Sequence, residues 1–276
     1  MPLWRARRPR PGVEAFPLDR GTIWVLLAFA SVIAVSAAVW RDYWTLSLAE
    51  LDPLLAACWI GMRALALHRV DLARDRRLAL VAFAGGALIE SWGTRAGLWT
   101  YFNGDEPPLF ILPAWPAAAL ATERVVQLLL SRAPAGRRTA WNVVYLAVVP
   151  GTAAALAWWC RGALSHPLTW IAGACIVVTC ATSTDRRADV LRLAAGAFVG
   201  YPLELWGTTS GCWTYASGGT PPVVAVLAHG FATVAFARGV SFAIVVTSRA
   251  RARARASPPA RRGSTASAET PPAPST

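Results

Sequence analysis

The sequence predicts an all-α, polytopic transmembrane helical bundle of about eight spans, built as two parallel four-span repeats. Three observations carry that prediction. The first is apolar block length: 55% of the 276 residues are hydrophobic and 15% charged, mean hydropathy is +0.41, and windows such as Ile23 to Trp40 reach the roughly 17–25 residues that a spanning helix needs. The second is internal repetition. LIESWGTRAGLWTY, starting at Leu88, returns as LELWGTTSGCWTY, starting at Leu203, and the pairs 90 and 204, 92 and 206, 99 and 213, 101 and 215 share one ungapped offset of 114. The third is an alternation of arginine-rich and arginine-poor connections between the blocks.

Taken in order, residues 1–21 form a basic disordered arm. Membrane repeat 1 occupies 22–131, with spans expected at Thr22 to Trp40, Pro53 to His68, Leu78 to Thr94 and Pro108 to Ser131. A cytoplasmic linker follows at 132–141. Membrane repeat 2 occupies 142–247, with spans at Asn142 to Trp159, Pro167 to Thr182, Leu191 to Thr208 and Pro222 to Val246. The tail at 248–276, Arg-Ala alternation followed by a Ser- and Pro-rich end, cannot bury a core and reads as disordered.

Orientation follows from arginine. The arm, HRVDLARDRR, SRAPAGRR, TDRRADVLR and SRARARARA fall on one side of an eight-span chain, which makes both termini cytoplasmic. The W-G-T-x-x-G-x-W-T-Y motifs then sit at the outer interface. Four spans per copy bring the second copy in from the same side as the first, so the repeats are parallel, about an axis along the membrane normal. The expected location is a bacterial inner (plasma) membrane. The first block is longer than a signal-peptide core and a membrane chain follows it, so it reads as an uncleaved span.

Net charge is +12, all of its fixed side-chain cations being arginine. The charge lies in the tails and alternate loops, which fits anionic lipid and not a nucleic-acid face. Four of the five cysteines lie within apolar blocks as packing residues, and Cys212 in a loop has no evident partner. Neither a disulfide framework nor a cysteine metal site is expected. Oligomeric state is not legible.

Each motif places one carboxyl in an apolar stretch. Gly86, Glu90, Gly93 and Gly97, and likewise Gly200, Glu204, Gly207 and Gly211, are spaced i, i+4, i+7, i+11, one face of a helix. Glycine there lets a neighbouring helix approach and turns the carboxyl inward. An ionisable side chain within a span is costly enough to make Glu90 and Glu204 the catalytic candidates, against a helix-locking hydrogen bond to Thr94, Thr208 or a motif tyrosine. The two glutamates are expected at equivalent depth, around one cavity. Trp92, Trp99 and Tyr101, with Trp206, Trp213 and Tyr215, read equally as an interfacial belt or as substrate-binding walls whose π faces steady a cation. His229 stands where the first copy has Trp115, an asymmetry that suits unequal roles, although a backbone carbonyl is its simplest partner. Arg124 and Arg238 are expected to snorkel.

Asp71 and Asp75, matched by Asp185 and Asp189, form D-x-x-x-D on the cytoplasmic side. Carboxylates so spaced suit Mg²⁺ and a diphosphate, but Arg74, Arg76, Arg186 and Arg187 interleave with them, and surface pairing is the favoured reading. No cofactor is expected, with Mg²⁺ the alternative. P-loop, H-E-x-x-H, paired C-x-x-C and G-x-S-x-G motifs are absent, which argues against nucleotide hydrolysis, zinc proteolysis and serine hydrolysis.

The run E-x-x-G-x-x-x-G, then an aromatic, a tyrosine and prolines, resembles the integral-membrane carotenoid biosynthesis families: the carotenoid hydratase of bacterioruberin-type pathways and, more loosely, the membrane lycopene cyclases, whose P-x-E signature is similar to Pro202-Leu203-Glu204. The resemblance covers roughly 86–108 and 200–222. It implies cofactor-independent protonation of a polyene or prenyl double bond, with Glu90 and Glu204 inheriting the acid and base roles. The chain departs from the hydratase pattern at Leu98-Trp99-Thr100 and Cys212-Trp213-Thr214, where Pro-Phe-Gly is usual, and from the cyclase signature at Leu205. The leading expectation is therefore an isoprenoid- or carotenoid-type cyclase or hydratase acting on a hydrophobic isoprenoid or lipid. The alternatives are a Mg²⁺-dependent prenyl diphosphate enzyme (terpene cyclase or prenyltransferase) using the aspartates, and a non-enzymatic lipid transporter or scaffold.

Overall fold

The computed structural model describes residues 53–133 and 136–256. The expected arm at 1–21, the first span at Thr22 to Trp40 and the tail from 257 lie outside the described residues. The described chain is all-α. Seven helices follow one another: α1 (Pro53–Leu67), α2 (Leu72–Arg95), α3 (Ala114–Arg132), α4 (Arg138–Trp159), α5 (Pro167–Ala181), α6 (Arg186–Thr209) and α7 (Val223–Ala256). A 3₁₀ turn at Cys160–Ala163 follows α4, and two short strands, β1 (Trp99–Tyr101) and β2 (Trp213–Tyr215), follow α2 and α6.

The offset of 114 carries through to the elements. α1 and α5 each have 15 residues and open on matched prolines. α2 and α6 each have 24 and open on matched aspartates, whose side chains accept the Arg74 and Ala188 backbone N–H groups. Those N-caps satisfy donors that the first turn leaves unpaired. At the far end of α2 the chain stops in a Schellman turn: Leu98 N–H donates to Gly93 O at 2.9 Å and Gly97 N–H to Thr94 O at 3.1 Å. Gly97 sits there at φ 67° and its counterpart Gly211 at φ 72°, the left-handed conformation that glycine adopts without strain. These two glycines therefore reverse the chain and do not extend the helical face assigned to them from spacing.

The turn feeds each motif into a strand, where an interfacial loop was expected. β1 and β2 pair antiparallel, Trp99 opposite Tyr215, Thr100 opposite Thr214 and Tyr101 opposite Trp213. Thr100 thus faces its own repeat counterpart. Such self-matched antiparallel pairing relates the two motifs locally by a pseudo-two-fold between the threonines.

Around this point α1 and α2 pack on α3, α3 packs on α6, and α4 packs on α6. α6 and α7 approach closely at Gly230, where a Cβ would meet Leu193 O at 2.4 Å, and at Gly196, where it would meet His229 O at 2.7 Å. The chain divides after Val240, and residues 241–256 continue α7. Helix through Ala256 replaces the disorder expected from 248, because alanine and arginine are both strong helix formers. The linker expected at 132–141 is shorter too, since α3 reaches Arg132 and α4 begins at Arg138.

Two helical stretches, Arg138–Ala163 and Val223–Ala250, are long and apolar enough to cross a membrane, and Leu55–Leu67 and Pro167–Ala181 are apolar but shorter. α2 and α6 spend their first turns on arginine and aspartate. Ile60, Leu80, Leu146, Trp158, Trp170 and Phe198, spread over five helices, are each more than half exposed.

Candidate functional site

Glu90 and Glu204 lie near the C-terminal ends of α2 and α6, 4% and 3% exposed. The reversing turn lays the following strand back along its helix, and residues i and i+2 of that strand share a face. Trp99 and Tyr101 consequently both reach Glu90: the indole Nε1–H donates to Oε2 at 3.1 Å and the phenol to the same oxygen at 3.0 Å. Trp115, in the first turn of α3, donates to Oε1 at 3.0 Å. Glu204 repeats the arrangement, with Trp213 Nε1–H to Oε2 at 3.0 Å, Tyr215 O–H at 3.0 Å from both oxygens, and His229 Nε2 at 2.8 Å from Oε1. Three side chains hold each carboxyl, all related by 114.

The motif glycines make room for these partners. A Cβ at Gly93 would fall 1.8 Å from Trp99 Cη2 and one at Gly207 1.9 Å from Trp213 Cη2. At Gly86 it would meet Trp115 Cγ at 2.2 Å, and at Gly200 the His229 Cβ at 2.5 Å. These glycines were expected to admit a neighbouring helix. They instead seat the rings that bind the glutamate one turn away.

Burial, reinforced by the Glu90 charge, pushes the Tyr101 hydroxyl well above the usual tyrosine range, and burial with Glu204 does the same for Tyr215. Both phenols stay protonated and donate. Around Glu90 every side-chain partner is an N–H or O–H that donates to it. Burial of Glu90 thus comes with three donors. Thr94 and Thr208 bond the backbone carbonyls of Glu90 and Glu204 and not the carboxyls.

The motif aromatics form one packed cluster. Trp99 lies against Tyr215 at 5.8 Å and Tyr101 against Trp213 at 5.9 Å, so each glutamate's donors touch the other's. Trp92 meets Trp99 edge-on at 6.3 Å, and Trp206 meets Trp213 at 6.1 Å. Trp92 Nε1–H donates to Thr169 Oγ1 at 3.0 Å. Trp206 Nε1 is buried without a hydrogen-bond partner among the described residues, and the residue matched to Thr169 is Leu55, which has no side-chain acceptor.

A narrow cleft with about 20 Å³ of internal space runs between α3, α6 and α7. Trp115 and His229 line it, with Ala118, Gly196, Gly200 and Phe236 among its other walls. Neither glutamate lines it, nor do the six motif aromatics; the slot lies one residue removed from the carboxyls. Across its head Trp115 and His229 stack, ring centroids 5.4 Å apart and planes 16° from parallel. His229 is therefore satisfied by a carboxylate and an indole face, where a backbone carbonyl was expected.

At the other ends of α2 and α6 the aspartates are already engaged. Asp75 and Arg124 form a buried bidentate pair, at 3.1 and 2.5 Å, and Arg124 also donates to Ala66 O at 3.2 Å. Asp189, fully buried, is shared by Arg192 at 3.1 Å, Arg238 and the Ser183 hydroxyl at 2.6 Å. Arg124 and Arg238 thus do not snorkel; they turn inward to carboxylates. Surface pairing is likewise overturned for Asp75 and Asp189, while Asp71 and Asp185 are exposed caps. Arg74 pairs with Glu123, and burial together with Arg124 lowers its guanidinium to about 10, still charged at neutral pH. No group of three or more His, Cys, Asp or Glu that could hold a metal occurs among the described residues.

Trp115 is the site residue that sequence reasoning left out. The available signal was spacing: 25 residues after each glutamate stands a ring with an N–H, Trp115 in one copy and His229 in the other. Searches against family models, curated proteins and solved structures return no match.

Proposed function

We propose that this chain is an integral-membrane enzyme that moves protons on and off a C=C bond of an isoprenoid or carotenoid-type substrate, as a cyclase or hydratase. The observation that carries the reading is the pair of buried glutamates, each held by three side-chain partners, of which only Glu204 has a titratable ring leading to an apolar cleft. Burial at this cost favours proton chemistry over packing. Trp115 and Phe236 offer π faces to a cation formed in the slot.

Membrane insertion is part of the same proposal. Two long apolar helices, two shorter ones, and large apolar side chains exposed on five helices support it. The two-repeat arrangement is supported by the matched helix lengths and the self-matched strand pair, and the eight spans with cytoplasmic termini by the apolar block lengths and the arginine alternation of the connections. Its basic ends then meet anionic lipid. The Mg²⁺ and diphosphate reading is weakened, because Asp75 and Asp189 are neutralised by arginine and Asp71 and Asp185 cap helices. Mass spectrometry of isoprenoids extracted from membranes with and without the protein tests the reading. A product isomeric with its precursor, or heavier by one water, is expected; unchanged isoprenoids would refute it.

A further inference from the structure

We propose that His229 Nδ1 is the atom through which this site exchanges protons with its substrate, and that Glu204 acts behind it as the positioning group. The inference rests on the isoprenoid reading above and assigns the reacting atom within it.

Four constraints fix the imidazole. Its Nε2 is held by Glu204 Oε1 at 2.8 Å, its face is stacked on Trp115, Gly200 leaves no room for it to move toward α6, and Thr233 anchors its backbone carbonyl at 3.0 Å. With Nε2 committed, Nδ1 is the remaining ring nitrogen. It makes no hydrogen bond among the described residues, and His229 lines the cleft while Glu204 does not. A carboxylate on one nitrogen sets the other as the exchange site, the logic by which a carboxylate fixes a catalytic histidine. The first copy carries no such route, because Trp115 Nε1–H is spent on Glu90 and indole has no second nitrogen.

The step balances without a cofactor. In the imidazolium form, the alkene π pair takes the proton from Nδ1, forming a C–H bond, and the N–H pair returns to Nδ1. The carbocation faces Trp115, with the Glu204 carboxylate behind the neutral imidazole. Loss of a proton from an adjacent carbon to Nδ1 then gives an isomer; attack by water, with its proton passing to Nδ1, gives a hydrate. Imidazolium is a weak acid, so the substrate class that fits is one whose cation is delocalised: the end of a conjugated polyene rather than an isolated alkene.

The test uses the full chain in two measurements. In ¹⁵N-histidine NMR of the detergent-solubilised protein, His229, assigned by His229→Gln, is expected to carry its proton on Nε2; an Nδ1–H tautomer with bare Nε2 would overturn the proposal. In product assays on a polyene extract, His229→Gln and His229→Ala are expected to lose about 10²–10⁴-fold in rate, and free imidazole to restore part of the His229→Ala activity. Wild-type turnover by His229→Gln beside a dead Glu204→Gln would sink the Nδ1 route and leave the isoprenoid reading standing. No product from the wild-type protein would overturn that reading and the catalytic role with it.

Discussion

Adding one methyl group at Gly93 should unseat the site. The Ala Cβ would fall 1.8 Å from Trp99 Cη2, with two further ring atoms at 2.1 Å, so the indole must move. Overpacking of this kind costs about 1–3 kcal/mol. A displaced Trp99 also gives up its bond to Glu90, worth about 1.5–3 kcal/mol for a charged acceptor. Against this stands a gain of about 1 kcal/mol in helix propensity. The balance is a destabilisation of about 1.5–5 kcal/mol, and Gly207→Ala should match it through Trp213 and Glu204. Gly61, Gly151 and Gly173 are internal controls, being helical with nothing within 4 Å of where an added methyl group would sit; their alanine variants should be stabilised by about 0.5–1 kcal/mol. Thermal unfolding in detergent, followed by tryptophan fluorescence, separates the two groups. Trimming the ring in the Gly93→Ala, Trp99→Ala double variant should recover the overpacking part of the loss. Gly93→Ala and Gly207→Ala proteins that melt at or above wild type would refute the packing argument.

Three further outcomes follow from the same contacts. Asp189→Asn should cost about 3–5 kcal/mol, because Arg192, buried, and Arg238, half-buried, are left without their counter-charge, whereas Asp185→Asn should change melting little, asparagine being an equally good N-cap. Trp206→Phe should be neutral or mildly stabilising, since it removes a buried N–H that has no acceptor, while Trp92→Phe should lose about 0.5–1.5 kcal/mol with the Thr169 bond; equal effects in the two melts would count against the asymmetry. Burial pushes the Cys212 thiol up to about 11, so its alkylation at neutral pH should be slow and rise as pH climbs toward that value; exposed Ser217→Cys should react at once with an impermeant reagent on intact cells, and labelling only after lysis would invert the proposed topology.

The repeat, the twin glutamates and the Trp115–His229 mismatch were legible in the sequence because a constant offset needs no structure to be seen. The same offset contained more. Asp75 to Arg124 and Asp189 to Arg238 are both 49 residues apart, a doubled acid–base spacing that points to pairing between helices, yet a lone arginine near a helix end reads more simply as snorkelling. The strand pair was not legible, because three residues are too few for an alternation to register and Trp-Thr-Tyr suits an interface equally well. Nor were the glycine seats, since i, i+4, i+7 spacing describes a face without saying what lies on it. Gly97 and Gly211 fit the spacing but terminate the helices, and only their positive φ separates them from the glycines that seat rings.

Product formation by Glu204→Gln, set beside Asp185→Asn in the same membranes with the same polyene extract, tests the central claim most directly. Glutamine can keep part of the hydrogen bonding to Trp213, Tyr215 and His229 but cannot hold a proton-charged imidazole as a carboxylate does, so a folded Glu204→Gln protein should make no product while Asp185→Asn makes product at the wild-type rate. Normal turnover by Glu204→Gln, with Asp185→Asn inactive, would contradict the account and move the chemistry to the aspartate end of α6.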